Sequence, residues 1–318
     1  MLRTMHFAAS LSLFGIAAFR VFILGPACRG IDIGAMPLQA AGVGRPLACA
    51  ARISLGLWLV SLLLWLLVEA VSMSGQTVAD CVRHGTFATV LTRTQFGHSC
   101  ELRLVFGALA MACLVGDARR PLGNRAGASA LLLIFSAVML VSLAWVGHAG
   151  AMSGRPARIH LAADGAHLLA AGAWLGGLVP LALFYRRHAG TAWLSAAQSA
   201  TRRFSTLGLI CVGAVIVSGI VNACFTVGTV ALLTESDYGR LVLAKVALLA
   251  VMVGIAAMNR TILMPRLCAP PPGSLPGDVG PTIRRLQRNT LIEAAVGIVV
   301  IVVVGLLGIT PPGQSFQH

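Results

Sequence analysis

Apolar residues along this chain fall in long, nearly unbroken blocks. They show neither the alternation of a half-buried strand nor the narrow stripe of a soluble helix. Eight blocks approach or exceed the ~20 residues that a helix needs to cross a bilayer core. They run roughly over 5–25, 48–72, 98–116, 127–148, 159–185, 204–226, 240–262 and 286–309. The pattern predicts an all-α polytopic membrane protein, a bundle of about eight transmembrane helices. The first block contains Arg20 and has no clean small-residue cleavage site after it, so it reads as a retained helix. No soluble domain fits between the blocks. The chain therefore reads as one transmembrane domain over 1–318, with helices 1–4 in 1–146 and helices 5–8 in 147–310.

Two connections are long. Residues 263–285 are rich in Pro and Gly and read as a flexible linker. Residues 73–97 include a polar–apolar stretch, Thr77 to Leu91, that suggests a short interfacial helix.

Composition agrees with the pattern. Charged residues make up 11% of the chain, against about a quarter in soluble domains, and the mean hydropathy is +0.86. The net charge of +14 could suggest nucleic acid, but the arginines cluster at the ends of apolar blocks. Arg29 and Arg45 follow block 1, and Arg119, Arg120 and Arg125 follow block 3. Arg186, Arg187, Arg202 and Arg203 follow block 5, and Arg260, Arg266, Arg284, Arg285 and Arg288 follow block 7. Cationic loops of this kind mark the cytoplasmic side. Both termini then face outward, into the periplasm if the Arg-rich composition reflects a GC-rich bacterium.

On that map the histidines collect at one face. His6, His84, His98, His148, His160, His167 and His318 lie on the outer side, and His188 alone on the inner. Met5, Met73 and Met152 join the outer set. Imidazole binds Cu(I) and Cu(II), and thioether selects Cu(I), although Met is also a common apolar filler. The stretch RIHLAADGAHLLAAGAWLGG at 158–177 concentrates the chemistry. At 100° per residue, His160, Asp164 and His167 lie within about 40° of one another, over about 10 Å of helix. Ionisable groups in a membrane helix face a bundle interior or a wet cavity. Asp164 can orient a ligating imidazole. The plainer reading makes these groups interfacial polar residues at a helix end. Gly172 and Gly176 form a GxxxG that packing alone explains.

Other chemistry is missing from the sequence. There is no phosphate-binding loop ending in Gly-Lys-Ser/Thr, no phosphorylation motif of an ATP-driven pump, no Ser/His/Asp constellation and no CxxC among the eight cysteines. Neither an enzyme nor an ATP-driven pump is expected. Cys81 and Cys100 share an outer loop, where an oxidising compartment would permit a disulfide. Glu69, Lys245 and Glu293 are intramembrane ionisable groups, suited to helix packing or to an ion path.

An ordered set of stretches resembles the copper resistance protein D (CopD) family of bacterial inner-membrane proteins. They are GHAG at 147–150, HLLAAGAWLGGLVPL at 167–181, RRFS at 202–205, VSG at 217–219, YGRLVLAK at 238–245 and MNR at 258–260. A basic start to the last helix, followed by Glu293, completes the set. The resemblance implies an eight-helix protein of copper homeostasis and resistance in the bacterial inner membrane. It further implies import of the ion and a separate periplasmic copper-binding partner of the CopC type. His148 and His167 are carried over from the family pattern as ligands, while His160, Asp164, Met152 and His6 join them on geometry. The expected site holds Cu(I) or Cu(II) at the outer mouth between helices 4 and 5. A haem-binding redox protein with imidazoles facing across the bundle, and a non-transporting copper sensor or scaffold, are the alternatives.

Overall fold

The computed structural model describes residues 1–28, 43–119, 126–146, 154–186, 190–269 and 279–311. Among them are eight helices long and apolar enough to cross a membrane. Spans 1 to 4 are Leu2–Ala27, Gly44–Ser74, Gln95–Asp117 and Ala126–Trp145. Spans 5 to 8 are Gly154–Tyr185, Trp193–Thr226, Asp237–Cys268 and Gly280–Leu307. The expected all-α multi-pass membrane architecture holds. Several spans extend beyond the apolar blocks because polar ends continue the helix. Gly75, at φ 64°, stops span 2 in the left-handed conformation that glycine adopts without strain. Ser236 opens span 7 by accepting the Gly239 N–H at 3.0 Å.

Two short helices, Val78–Arg83 and Thr86–Arg93, follow span 2 in place of the one interfacial helix that the pattern suggests. Gly85, at φ 66°, separates them. Cys81 and Cys100 are both buried free thiols, so the permitted disulfide is not formed. The central part of the expected linker, 270–278, lies outside the described residues.

Spans 1 and 5 form the centre of the bundle. Their most apolar windows are 67% and 56% buried, against 6% for span 7 and 17% for span 8, whose apolar side chains face outward as lipid-exposed residues do. Span 1 packs on spans 2 and 4, and span 5 packs on spans 6 and 8. Span 3 packs on span 4 as span 7 does on span 8, and spans 1 and 5 pack on each other. The chain thus uses one four-helix arrangement twice. Because each half contains four spans, both start at the same end of the bundle. The relation is therefore a rotation about the bundle axis, the parallel kind of internal repeat.

The sequence carries faint traces of this repeat. Gly15 follows His6 at the same interval as Gly176 follows His167. These two glycines meet at the crossing of spans 1 and 5, where a Cβ on either would collide with backbone of the opposite span. Gly56 and Ser61 in span 2 match Gly213 and Ser218 in span 6.

Candidate metal site between the two halves

Each central helix carries a histidine nine residues before its crossing glycine, His6 and His167, and the packing gives both the same frame. His167 Nδ1 lies 3.0 Å from Ser218 Oγ, and that hydroxyl donates to the Ala214 carbonyl at 2.5 Å. His6 Nδ1 lies 2.9 Å from Ser61 Oγ, which donates to the Trp58 carbonyl at 2.9 Å. The proton of each serine is already engaged, so its oxygen accepts from Nδ1–H. That fixes the tautomer and leaves the lone pair on Nε2 in both rings.

The surroundings of the two Nε2 atoms differ. His6 is buried between Trp58 and Trp65, with ring centroids 5.8 and 5.5 Å away, and its Nε2 has no hydrogen-bond partner. Arg103 of span 3 lies within electrostatic range of it. Two bonds to Ser142 hold that guanidinium, Nε to Oγ at 2.8 Å and Nη2 to the carbonyl at 2.9 Å. Above, Arg3 stacks over Trp65 at 5.2 Å, bonds Glu69 at 3.1 Å and caps the Gly308 carbonyl at 2.6 Å. Glu69 also accepts from Trp65 Nε1 at 2.9 Å.

The Nε2 of His167 instead faces Lys245 Nζ at 3.2 Å, on the wall of a cavity of about 480 Å³. His160 and Asp164 line the same cavity, as helical periodicity requires, and so do Asn222 and Tyr238. Arg3, Phe7 and Trp65 close it from the first half, which places the cavity between the two repeats. His160 stacks on Phe225 at 4.9 Å and 14°, and its Nδ1 is buried without a hydrogen bond. Asp164 Oδ1 accepts from Asn222 Nδ2 at 3.3 Å, while Asn222 Oδ1 has no partner.

Of the six residues expected to bind metal, His160, Asp164 and His167 line one cavity. Their hydrogen-bond and stacking partners lie on spans 6 and 7, and Leu143 of span 4 also lines the cavity. His6 lies in its own closed pocket and does not line the cavity. His148 and Met152 lie outside the described residues. His84 and His98 are exposed, bonded to the Asp80 carbonyl at 2.9 Å and to Glu101 at 3.4 Å. Among the described residues no three His, Cys, Asp or Glu side chains converge closely enough to hold an ion. The cavity offers the donor atoms of His160, Asp164 and His167 along one wall.

Sequence reasoning does not join Lys245, Ser218, Asn222 and Tyr238 to this site. Only Lys245 carries a signal, as an intramembrane charge. A second cavity of about 190 Å³ lies at the opposite end of spans 5–8. Glu293 lines it and accepts from Asn259 Nδ2 at 2.8 Å, and Asn259 in turn accepts from Asn289 at 2.8 Å. On span 5, Leu175 faces the upper cavity and its neighbour Trp174 the lower one.

The family model described as copper resistance protein D matches residues 198–307. The model described as the copper resistance protein D-like N-terminal domain matches residues 1–159. Copper resistance protein D of Pseudomonas syringae pv. tomato is 32% identical over 94% of this chain and 92% of its own length. Inner membrane protein YebZ of Escherichia coli K12 is 32% identical over 78% of this chain and 82% of its own. Copper transport protein CutJ of Bacillus subtilis is 30% identical over 40% of this chain and 23% of its own. No solved structure matches the chain.

Proposed function

This chain belongs to the copper resistance protein D family, and on that premise we propose that it takes copper through the inner membrane by way of its second half. The observation that carries the reading is the cavity that gathers His160, Asp164 and His167 at the end of the bundle bearing both termini. A soft or borderline cation finds two imidazoles there and a carboxylate to balance its charge. The arginine-rich ends of the spans lie at the opposite end and mark the cytoplasmic side, so the cavity opens to the periplasm. A periplasmic copper carrier of the CopC type delivers the ion.

From the upper cavity the ion passes Trp174 and Leu175 to the lower cavity. There Glu293 and Asn259 supply oxygen ligands of lower affinity for a soft cation, which favours release. Backbone stays helical throughout, so the route is built from side chains, as a bilayer interior demands.

The test is copper uptake into proteoliposomes together with metal content of the purified chain. Replacing His160 and His167 together by Ala should abolish bound copper and reduce uptake at least about tenfold, the loss expected when two ligands go. Unchanged uptake by that variant would remove the site. An absorption spectrum of the same sample decides against transport if it shows a stoichiometric Soret band.

A further inference from the structure

Lys245 is the single lysine in a chain whose Lys and Arg total 24, and its ammonium is placed on the atom a metal would need. The Ser218 hydroxyl donates to Ala214, so His167 donates through Nδ1 and keeps one lone pair, on Nε2. Lys245 Nζ sits 3.2 Å from that lone pair. An ammonium has donors only, so it occupies the acceptor site without competing for any proton on the ring.

We propose that Lys245 is a tethered stand-in for the transported cation. It holds His167 Nε2 while the cavity is empty and is displaced when metal arrives. The inference rests on the reading that His167 binds the cargo.

Three observations support it. First, the displaced ammonium has somewhere to go. Asp164, within electrostatic range of Lys245, and the unpartnered Oδ1 of Asn222 line the same cavity. Second, lysine suits the task. Its charge rides on a flexible four-carbon stem with rotatable donors, whereas a guanidinium fork stays where its bonds hold it. Third, the other half of the repeat shows the fixed alternative. A cation again stands near the imidazole, but it is Arg103, fully buried and anchored twice to Ser142. At the position matching Asp164, one turn before the histidine, that half has Arg3. It therefore offers no carboxylate there for a displaced cation and keeps its charge in place.

A stand-in cation makes empty and loaded sites nearly equal in charge, so loading does not require a new buried charge. It also weakens binding enough for release, because ammonium and metal compete for one lone pair.

The experiment uses the full chain in detergent, with Ag(I) as a redox-inert probe followed by calorimetric titration. Lys245→Met should tighten Ag(I) binding by at least about tenfold, since a competing unit charge is removed. Lys245→Arg should bind no tighter than wild type. The gain should vanish in Lys245→Met/His167→Ala, a coupling that a merely structural lysine would not show. Equal or weaker binding by Lys245→Met, in protein that elutes and melts like wild type, overturns the proposal. If Lys245→Met does not fold, Lys245→Gln serves the same comparison, and equal or weaker binding by it has the same meaning. If Ag(I) binding survives His167→Ala in both backgrounds, the site reading itself is wrong and this inference falls with it.

Discussion

His6 and His167 sit at matching places in the two halves, each donating from Nδ1 to a serine on the next span. Beyond that shared frame they diverge. Trp58 and Trp65 shut the His6 ring away from solvent, and Arg3 and the anchored Arg103 place two guanidiniums around the pocket. His167 opens to a cavity with an acid, an amide and one movable ammonium. The matched positions Trp65 and Asn222, and likewise Glu69 and Thr226, carry the change. Aromatic bulk and a tied carboxylate stand in the first half where polar cavity-lining groups stand in the second. One copy of the repeat is closely packed around its histidine, and the other leaves its histidine on a cavity wall. Repeats of this kind place a site at the interface of two similar bodies. Here only one body supplies the donors, and the other forms the wall.

The strongest way to break the comparison is to separate the halves. Gly15→Leu or Gly176→Leu forces a side chain into backbone of the opposite span. Overpacking usually costs about 1–3 kcal/mol, and a collision with backbone lies at or above the top of that range. These variants should yield little monodisperse protein and a melting point well below wild type on a fluorescence-detected column. Gly56→Ala and Gly213→Ala occupy matching places with open space around the new methyl. They should be neutral or stabilising by up to about 1 kcal/mol, because Ala is the better helix former. Equal damage from both pairs would mean that spans 1 and 5 do not cross at their glycines.

A smaller effect separates the two cations. Arg103→Met removes two charge-assisted hydrogen bonds in a fully buried place. It should destabilise the fold by about 2–3 kcal/mol and leave Ag(I) affinity within about twofold of wild type. Lys245→Met should show the reverse, a large change in affinity with a small change in melting point. The same sign of response in both variants would erase the distinction between a fixed and a displaceable charge.

Much of this architecture is legible in the sequence, and the limits have physical causes. Eight apolar blocks correspond to eight spans because lipid tolerates only internally satisfied backbone. The 3.6-residue period brings His160, Asp164 and His167 to one wall because all three ride on one helix. Periodicity cannot say which neighbours a helix face meets, so it does not reveal that spans 6 and 7 supply the partners of these residues. Ser218 and Lys245 do not stand out as site residues because serines and single charges are ordinary near helix ends. The repeat is hidden for a related reason. Almost any apolar residue satisfies a lipid-facing position, so the matched positions retain identity mainly where backbone or a hydrogen bond demands it, at Gly15 and Gly176 and at Ser61 and Ser218.

The serines give the subtlest division between the halves. Ser61→Ala and Ser218→Ala each remove the acceptor for a histidine Nδ1–H, and each should cost about 1 kcal/mol of stability. The two losses should be similar, because the two His–Ser bonds have nearly the same length, 2.9 and 3.0 Å. Their effects on the ion should not be. Without Ser218 the His167 ring can rotate and change tautomer, so Nε2 no longer presents a fixed lone pair to the cavity. Removing such an orienting partner weakens metal binding by about tenfold or more. His6 does not line the cavity that His167 lines, so Ser61→Ala should leave Ag(I) affinity unchanged. Paired titrations and melting curves on the two variants read both quantities at once. A drop in affinity with Ser61→Ala as large as with Ser218→Ala would show that the closed histidine also takes part in holding the ion, and that the two halves share the work.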